Sequence, residues 1–274
     1  MSIWLDGKLR EADDARVSVF DHGLTVGDGV FETVKAVDGS PFALTRHLER
    51  LTRSARGLGL ADPDQDEVRA ACAAVLADNP MPLGRLRITY TGGRSPLGSE
   101  RGREHCTLVV ALAESTPRPS TTAAVTVPWT RNERGALAGL KSTSYGENVV
   151  ALARAHAQQA SEALLANTVG ALCEGTGTNV FVVLDGELHT PPLHSGCLAG
   201  ITRALVLEWA GAKESDLPFS VLAEAEEVFL TSSLRDVQAV TVLDGRSLGD
   251  APGPVTAEAM RVFEERSAAD PDPR

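Results

Sequence analysis

The sequence predicts an α+β protein built from two domains. Short apolar runs separated by Asp-Gly are typical of antiparallel hairpins, because such turns need residues that accept positive φ. Helical and strand patterns are mixed in both halves of the chain, which favours antiparallel or mixed sheets over a doubly wound parallel sheet. The segment ESTPRPSTT (114–122) carries two prolines and a run of hydroxyl residues, which is typical of a linker. We therefore expect domains at 1–113 and 123–274.

The first half of the chain predicts hairpins, helices and strands in close succession. SIWLDGKLR and GVFETVKAVDGSPFAL each place an Asp-Gly turn between apolar runs, the second at Asp38-Gly39. Leu48, Leu51 and Ala55 recur at helical spacing, which predicts a helix from about Thr45 to Leu58. The other elements expected in this half are an amphipathic helix over 65–77 and the strands RLRITYT and CTLVVALA.

The second half predicts a similar mixture followed by a polar tail. The expected elements are a long helix near 148–163, the hairpin NVFVVLDGELHT, a helix over 202–210, the strands EVFLTS and QAVTVL, and a last helix near 257–265. The tail SAADPDPR, from about residue 267, lacks apolar residues that could anchor it, so we expect it to be disordered.

Composition excludes several classes of protein. The formal net charge of −11 argues against nucleic-acid binding, which needs a basic face to replace counterions. No segment approaches the roughly 20 apolar residues of a membrane span, and the acidic start MSIWLDGKLREADD is unlike a signal peptide. We therefore expect a cytoplasmic protein. The four cysteines lie far apart and predict reduced thiols, and the six histidines form no close ligand pair that would indicate a metal site.

Three common motifs of enzymes are absent or misleading. GTGTNV (175–180) has the wrong spacing for a dinucleotide fingerprint and runs into a strand instead of opening a helix. GGRSPLGSERG (92–102) lacks the Lys-Ser/Thr pair of a phosphate-binding P-loop, and the chain contains no GxSxG elbow.

Four separated segments carry residues suited to chemistry. Lys141 follows an apolar residue in GLKSTSYGEN, where it is either a surface charge or an amine in a confined setting that can form an imine. Glu174 precedes a glycine-rich turn in CEGTGTNVF, where it is either a solvated acid or a partner for a heterocyclic nitrogen. Thr202 opens a helix after Gly200, where backbone N–H groups favour an anion. Arg50 in RHLERL lies one helical turn from His47 on the same face and is suited to phosphate, or to a surface salt bridge with Glu49 or Glu32.

These segments together resemble one known family. GDGVFE, RHLERLTRSA, the Lys141 segment, EGTGTNVF…LHTPP…LAGITR and FLTSS are similar to the motif series of the class IV aminotransferases, in the same order from residue 4 to about residue 245. That family includes branched-chain and D-amino-acid aminotransferases and 4-amino-4-deoxychorismate lyase. The resemblance implies a two-domain α+β enzyme of fold type IV, similar to D-amino-acid aminotransferase. It also implies a homodimer, with pyridoxal 5′-phosphate in the cleft between the domains.

The resemblance also implies a role for each matched residue. Lys141 would be the Schiff-base lysine and the general base at the substrate's Cα, and Glu174 would contact the pyridine nitrogen. Tyr145 would approach the O3′ side of the cofactor, and Asn179 would lie beside it. The phosphate group would be bound by Arg50, Ile201, Thr202 and Ser233. The residues expected to bind a small amine or amino-acid substrate are Phe31, Lys35, Arg87, Tyr90 and Arg94.

The sequence indicates the cofactor more clearly than it indicates the reaction. The length near 270 residues, the compact GDGVFETVKAVDG hairpin, and RLRITYTGGRSPLGS followed by GREHC are most similar to the deoxychorismate lyase branch, which implies release of p-aminobenzoate and pyruvate. The alternative is a branched-chain or D-amino-acid aminotransferase. A third hypothesis is a non-catalytic binding protein that keeps the fold, whose mark would be loss of the lysine or the glutamate.

Overall fold

A computed structural model describes residues 1–102 and 105–274 of the chain. Arg103 and Glu104, which belong to the GREHC motif, lie outside the described residues. The chain divides into two compact units. The first comprises 1–117, 140–144 and 270–274, and the second comprises 118–139 and 145–269.

The first unit is a sheet covered by helices. Its elements are β1 (Ser2–Leu5), β2 (Lys8–Glu11), α1 (His22–Thr25), β3 (Gly29–Val37), β4 (Ser40–Pro41), α2 (Leu44–Leu58), α3 (Gln65–Asp78), β5 (Leu83–Thr91) and β6 (Thr107–Glu114). Among the described residues, six strands pair in the order β2-β1-β6-β5-β3-β4, and every pair is antiparallel. This arrangement leaves β3 and β5 as long neighbours that expose one face and bury the other.

The core of the first unit forms where α2 and α3 pack against the buried face of this sheet. Side chains that alternate along β3 and β5 meet residues of α2 spaced three and four apart, as period-2 and period-3.6 patterns require. The central members of this cluster are Val30, Val34, Leu48, Leu51, Ala55, Leu86 and Ile88. One charged residue, Glu32, lies on the same buried face of β3 and is fully buried.

The second unit contains a larger mixed sheet. Its elements are β7 (Thr121–Arg131), α4 (Gly146–Ala157), β8 (Glu162–Asn167), β9 (Leu172–Gly175), β10 (Asn179–Leu184), β11 (Glu187–Thr190), α5 (Ile201–Ala210), β12 (Lys213–Glu214), β13 (Glu227–Ser232), β14 (Asp236–Leu243), β15 (Arg246–Ser247) and α6 (Pro254–Ala269). Two 3-10 helices span Leu193–Ser195 and Phe219–Ala223. Within the described residues, eight strands follow the order β12-β11-β10-β13-β14-β7-β8-β9, and β15 pairs with β14. None of the described helices is long and apolar enough to cross a membrane.

The second sheet is held together by apolar side chains on its central strands. Phe181 on β10 and Phe229 on β13 are direct cross-strand partners, and their rings stack with centroids 4.7 Å apart. Stacked aromatic pairs of this kind add to the energy gained from burial alone. The ring pair holds β10 and β13 side by side. The predicted site residue Asn179 is the first residue of β10, and the predicted site residue Ser233 follows the last residue of β13.

The structure confirms the α+β class and the hairpins read from the sequence. The predicted turn at Asp38-Gly39 has positive φ at both residues, 47° and 79°. The turn of the NVFVVLDGELHT hairpin, Asp185-Gly186, has φ of 49° and 74° and joins β10 to β11. Both residues of each turn are left-handed, as tight hairpin turns demand.

Three expectations need correction. The predicted helix over 148–163 ends at Ala157, because Gln159 has φ of 60° and the chain then enters β8. The predicted linear division into 1–113 and 123–274 misses that 140–144 belongs to the first unit, where Ser142 forms a β-bridge with Val30.

The third correction is that the tail is ordered. The last helix continues to Ala269, and the following residues return to the first unit. There the Asp272 carboxylate accepts hydrogen bonds from the Thr45 backbone N–H at 2.8 Å and from its hydroxyl at 2.6 Å. The sequence pattern contained no sign of this contact because its partners are 227 residues apart.

Candidate active site

Lys141 is fixed by its backbone beside the start of β3. Its N–H donates to Ser54 Oγ at 3.2 Å, and its carbonyl accepts from the Phe31 N–H at 2.9 Å. Ser142 bridges Val30 on the same strand. The backbone of the lysine is therefore held by a β-like pairing, so its side chain departs from a defined position.

The side chain of Lys141 lies over an aromatic ring. Its Nζ is 4.3 Å from the centroid of the Phe31 ring, and the Arg87 guanidinium carbon is 3.4 Å from the same centroid. Arg87 is further oriented by a bond from its Nε to Thr89 Oγ1 at 3.2 Å. Cations at this range are attracted to the ring face. The structure thus brings together three predicted residues: the lysine, the phenylalanine and one candidate carboxylate-binding arginine.

Lys35 lies further along β3 than Phe31 and on the same face, because every second residue of a strand points to the same side. Its Nζ is 5.4 Å from the centroid of the Phe42 ring. Its cross-strand partner on β5 is Arg85, and that of Thr33 is Arg87. This stretch of the two strands therefore carries several cations on the face that Lys35 shares with Phe31.

Arg50 is buried on α2 and is held by Glu32. Its Nε donates to Glu32 Oε1 at 2.8 Å, and its Nη2 donates to Oε2 at 2.7 Å. His47 Nδ1 lies 2.6 Å from the same Oε2. Arg50 is 4% exposed, and Glu32 is 0% exposed. The sequence had left open a salt bridge of Arg50 with a nearby glutamate, and the structure shows that this bridge exists inside the core.

The protonation states of this cluster follow from its surroundings. Burial raises the pKa of Glu32, but the Arg50 charge and the hydrogen bonds from Arg50 and His47 outweigh it and hold the pKa well below its usual range. Burial lowers the pKa of His47, and the nearby charges of Arg50 and Lys141 lower it further against the opposing effect of Glu32. The cluster is therefore a carboxylate, a guanidinium and a neutral imidazole that donates from Nδ1.

In the second unit, Glu174 is positioned by two donors. Its Oε1 accepts from Arg131 Nε at 3.0 Å, and its Oε2 accepts from the Leu198 backbone N–H at 2.8 Å. Arg131 also donates to Asn148 Oδ1 at 2.7 Å. Glu174 is 9% exposed, so the sequence alternative of a freely solvated turn acid is wrong. A buried carboxylate with one oriented guanidinium is suited to face a heterocyclic nitrogen.

Hydrogen bonds to buried side chains fix the turn after Glu174. The buried Glu162 carboxylate accepts from the Thr176 backbone N–H at 2.9 Å and from its hydroxyl. Asn148 Nδ2 donates to the Thr176 carbonyl at 2.6 Å, and Gly175 N–H bonds to the Thr178 carbonyl at 2.8 Å. The glycine-rich turn is therefore a rigid support for Glu174.

Asn179 packs against the start of α5. Its Nδ2 donates to the Leu198 carbonyl at 2.9 Å, and a Cβ added to Gly200 would lie 2.0 Å from its Oδ1. Gly200 is the N-cap of α5 and forms no side-chain cap bond. Ile201 and Thr202, the first two residues of α5, are buried. The backbone at the start of α5 therefore lies so close to Asn179 that only glycine fits at position 200.

The other predicted cofactor residues lie at ends of elements. Tyr145 is the N-cap residue of α4 and is half-buried. Ser233 follows directly after β13, in the turn to β14, and is half-buried. Both are in the second unit.

Two predicted substrate residues are placed elsewhere. Tyr90 belongs to the hydrophobic core of the first unit and faces away from Arg87, because the two residues are an odd number apart on β5. Burial raises the pKa of its phenol. Arg94 is exposed in the loop after β5, with its guanidinium carbon 5.8 Å from the Phe20 ring centroid. The structure does not bring either residue to the ring of Phe31.

Three residues of the site were given no functional role from the sequence. His47 was considered only as a neighbour of Arg50 on the helix, Glu32 only as one possible partner for a surface salt bridge, and Arg131 was not singled out. The spacing of His47 and Arg50 on one helical face was a usable signal. Nothing local could have revealed Arg131, because its partner Glu174 is 43 residues away.

Each of the two units, taken by itself, carries donors that suit part of a phosphate bound to an aromatic aldehyde. The bare N-terminus of α5 offers backbone N–H groups and the favourable end of the helix dipole. The close approach of Gly200 to Asn179 is a cradle that a Cβ would fill. Arg50 supplies a permanent cation, and Lys141 supplies an amine. Among the described residues, no group of three or more His, Cys, Asp and Glu side chains could hold a metal ion.

Comparison with known proteins shows the family of the chain. Residues 29–243 match the family model described as amino-transferase class IV. A provisionally named branched-chain-amino-acid aminotransferase of Methanocaldococcus jannaschii is 33% identical over 97% of this chain and 96% of its own length. The D-alanine aminotransferase of Listeria innocua is 31% identical, with 97% and 96% covered.

A solved structure with similar coverage adds the cofactor. An aminotransferase from Mycobacterium tuberculosis, described as hypothetical and solved in its PLP-bound form, superposes with a TM-score of 0.85 and 26% identity. The superposition covers 98% of this chain and 100% of that chain.

The family match and the fold define an enzyme that uses pyridoxal phosphate. The chain belongs to the class IV aminotransferase family. Pyridoxal phosphate is its cofactor, as the sequence predicted, and the fold type IV class is confirmed. Similarity to the lyase branch in particular finds no support among these relatives, which are named as aminotransferases.

Proposed function

We propose that the protein is an amino-acid aminotransferase in which Lys141 binds the cofactor and moves the proton at the substrate's Cα. The observation that carries this proposal is the placement of Lys141, whose backbone pairs with β3 and whose Nζ lies over Phe31. A lysine amine held at a defined position can act as a nucleophile once it loses its proton. The transaminase alternative of the sequence analysis now ranks above the lyase.

The residues of this chain perform the steps around the cofactor. When bound, pyridoxal phosphate supplies an electron sink for the bond broken at Cα. Lys141 takes up and returns the proton, and a positioned group of this kind contributes about 10²–10⁴-fold. The Phe31 ring covers one side of the lysine amine. Glu174, oriented by Arg131, is the acid that we assign to the pyridine nitrogen.

The phosphate is assigned to residues that offer donors and positive charge. Arg50 provides a guanidinium with a fixed plane. Ile201 and Thr202 provide the first backbone groups of α5, and Ser233 provides a hydroxyl in the turn after β13. Tyr145 and Asn179 are assigned to the ring side of the cofactor.

The substrate carboxylate is assigned to Arg87. Its guanidinium is stacked on Phe31 next to the Lys141 amine, so one carboxylate and one amine of an α-amino acid can reach both. A planar fork of donors suits a carboxylate. Lys35, on β3 with Phe31, is a second cation that can contact the keto-acid acceptor. Arg94 remains a candidate only by its place in the sequence.

The preferred substrates are branched-chain L-amino acids, with D-amino acids as the second candidate. Both names occur among relatives that align along nearly the whole chain. The test supplies purified holoenzyme with 2-oxoglutarate or pyruvate and a panel containing L-leucine, L-valine, L-isoleucine, D-alanine and D-glutamate. Keto-acid formation that requires the acceptor is the expected result. Release of p-aminobenzoate from aminodeoxychorismate without any acceptor would instead establish the lyase.

A matched pair of variants connects the activity to the proposed lysine. Lys141→Ala should lower turnover by at least about 10²-fold, because the positioned base is lost. Lys8→Ala removes an exposed lysine of β2 and should leave turnover unchanged. Equal activity of the two variants would contradict the assignment of Lys141.

We further propose that the protein forms a homodimer. Val19, Leu24 and Leu97 are 70%, 68% and 70% exposed in the first unit. The Ser95 N–H bonds to the Phe20 carbonyl at 3.1 Å, so the segments that carry these apolar residues are neighbours. Exposed apolar groups that cluster in this way are typical of a protein–protein interface. Light scattering should give twice the mass of the 28.9 kDa chain, and a monomer at micromolar concentration would contradict the proposal.

A further inference from the structure

An ionised carboxylate lies inside the hydrophobic core of the first unit. Glu32 is flanked along β3 by the buried apolar residues Val30 and Val34, and it is 0% exposed. Burying a charge without a partner is strongly unfavourable, so a buried carboxylate is normally paired with a cation or with hydrogen-bond donors. The partners of Glu32 are both on α2, and one of them is the arginine assigned to the phosphate.

The contact between Glu32 and Arg50 fixes the plane of the guanidinium. Two bonds, from Nε to Oε1 at 2.8 Å and from Nη2 to Oε2 at 2.7 Å, hold one edge of the fork. A single bond would let the group rotate, whereas this two-point contact does not. Because the guanidinium is planar and rigid, fixing one edge also sets the direction in which the N–H groups of the other edge point.

His47 holds Glu32 in turn. Its Nδ1 is 2.6 Å from Glu32 Oε2, and the imidazole is 1% exposed. Since a carboxylate can only accept, Nδ1 carries the proton and donates. His47 and Arg50 are three residues apart on α2, so both reach the same carboxylate from one helical face. The carboxylate is therefore fixed from two directions before any ligand binds.

We propose that Glu32 is a positioning residue for phosphate binding, which acts only through Arg50 by fixing the direction of its guanidinium. This inference rests on the proposed role of Arg50 at the cofactor phosphate. It predicts that Glu32 matters for ligands that carry the phosphate group and not for the same ring system without it. A purely structural carboxylate would affect both kinds of ligand alike.

The test compares two ligands on the apoprotein of Glu32→Gln. Absorbance titration gives the dissociation constants of pyridoxal phosphate and of pyridoxal, which lacks the phosphate. We expect pyridoxal phosphate to bind about 10–100-fold more weakly, by analogy with the range found when the supporting partners of metal ligands are removed. The affinity for pyridoxal should stay within about twofold of the wild type, because its ring and aldehyde make no phosphate contact. Stabilisation of the apoprotein by inorganic phosphate, read as the rise in melting temperature, should fall in parallel.

Two further variants complete the comparison. Glu49→Gln makes the same chemical change at an exposed position next to Arg50 on α2 and should bind both ligands as the wild type does. Glu32→Asp keeps the charge but shortens the side chain. It should also weaken pyridoxal phosphate selectively, and it serves as the test if Glu32→Gln fails to fold.

The outcomes separate this inference from the proposed function. Equal weakening of both ligands, or no weakening of either, would overturn the role of Glu32. If the wild type itself forms no visible absorbance band with pyridoxal phosphate, the proposed function fails first. If the wild type forms the band and Glu32→Gln discriminates between the ligands as expected, both proposals stand.

Discussion

The C-terminal tail supplies a cap for the helix that carries Arg50. The residue preceding α2, Ala43, has a left-handed backbone and makes no side-chain cap bond. The capping carboxylate comes instead from Asp272, which accepts from the Thr45 N–H at 2.8 Å and its hydroxyl at 2.6 Å. The Pro271 carbonyl also accepts from the Ala43 N–H at 2.7 Å. We predict that Asp272→Ala destabilises the protein through loss of this cap.

The expected magnitude follows from the bonds lost. Removing an N-cap acceptor costs about 0.5–2 kcal/mol. A carboxylate at a helix N-terminus adds about 0.3–1 kcal/mol through the helix dipole. The two effects overlap, so we expect a loss of about 1–2 kcal/mol, or a fall in melting temperature of about 2–5 °C for a chain of this size. Asp272→Asn keeps an acceptor for the N–H and should lose less.

The assay is urea and thermal unfolding of the apoprotein followed by circular dichroism. Glu264→Ala, which removes an exposed acid from α6, is the matched control and should unfold as the wild type does. Because α2 also carries His47 and Arg50, Asp272→Ala should in addition weaken pyridoxal phosphate binding slightly. If Asp272→Ala and Glu264→Ala unfold at the same urea concentration, the capping role of the tail is refuted.

Two other predictions concern Gly200 and His22. Gly200→Ala places a Cβ 2.0 Å from Asn179 Oδ1, so it should weaken pyridoxal phosphate binding by about tenfold or more. The control Gly146→Ala has open space around its Cβ and should not weaken binding. Equal affinities of the two variants, measured by titration, would contradict this prediction. His22 contacts acceptors at both ring nitrogens, including Asp28, and this carboxylate bond raises its pKa above 6.5. Its stabilisation is therefore complete below about pH 6.5 and is lost as the pH rises through the raised pKa. The difference in unfolding free energy between wild type and His22→Gln should shrink as the pH rises from about 5.5 to about 8.5, and a pH-independent difference would contradict the charged imidazole.

Local chemistry explains which parts of the fold were predictable. The hairpin turns depend on Asp-Gly pairs that accept positive φ, so Asp38-Gly39 and Asp185-Gly186 could be located from the sequence alone. The apolar spacing of Leu48, Leu51 and Ala55 located α2 to within one residue of its start. In each case the signal and the structure it predicts lie close together in the chain.

Long-range pairing explains which parts were not. AHAQQASEALLAN is rich in residues that favour helices, yet its second half is β8, which pairs in parallel with β7. Pairing across a sheet overrides intrinsic helix propensity, and no local pattern records the partner. The same holds for the tail, whose polar residues suggested disorder although Asp272 binds α2.

The residues of the candidate site also differ in whether local sequence could predict them. Lys141, Glu174, Arg50 and Thr202 could be chosen from motifs whose residue types suit the chemistry. Tyr90 was predicted to bind the substrate, but its position on β5 directs its side chain into the core. The buried contact of Glu32 with Arg50, and the contact of Arg131 with Glu174, became visible only in the fold.

The central claim is that Lys141 binds the cofactor covalently, and borohydride reduction tests it most directly. The chain contains only four lysines, at positions 8, 35, 141 and 213, so the site of the label can be mapped without ambiguity by peptide mass spectrometry. We predict a phosphopyridoxyl group on Lys141 in nearly every molecule of the reduced holoprotein. A label on Lys35 instead, or no label on any lysine, would contradict the account.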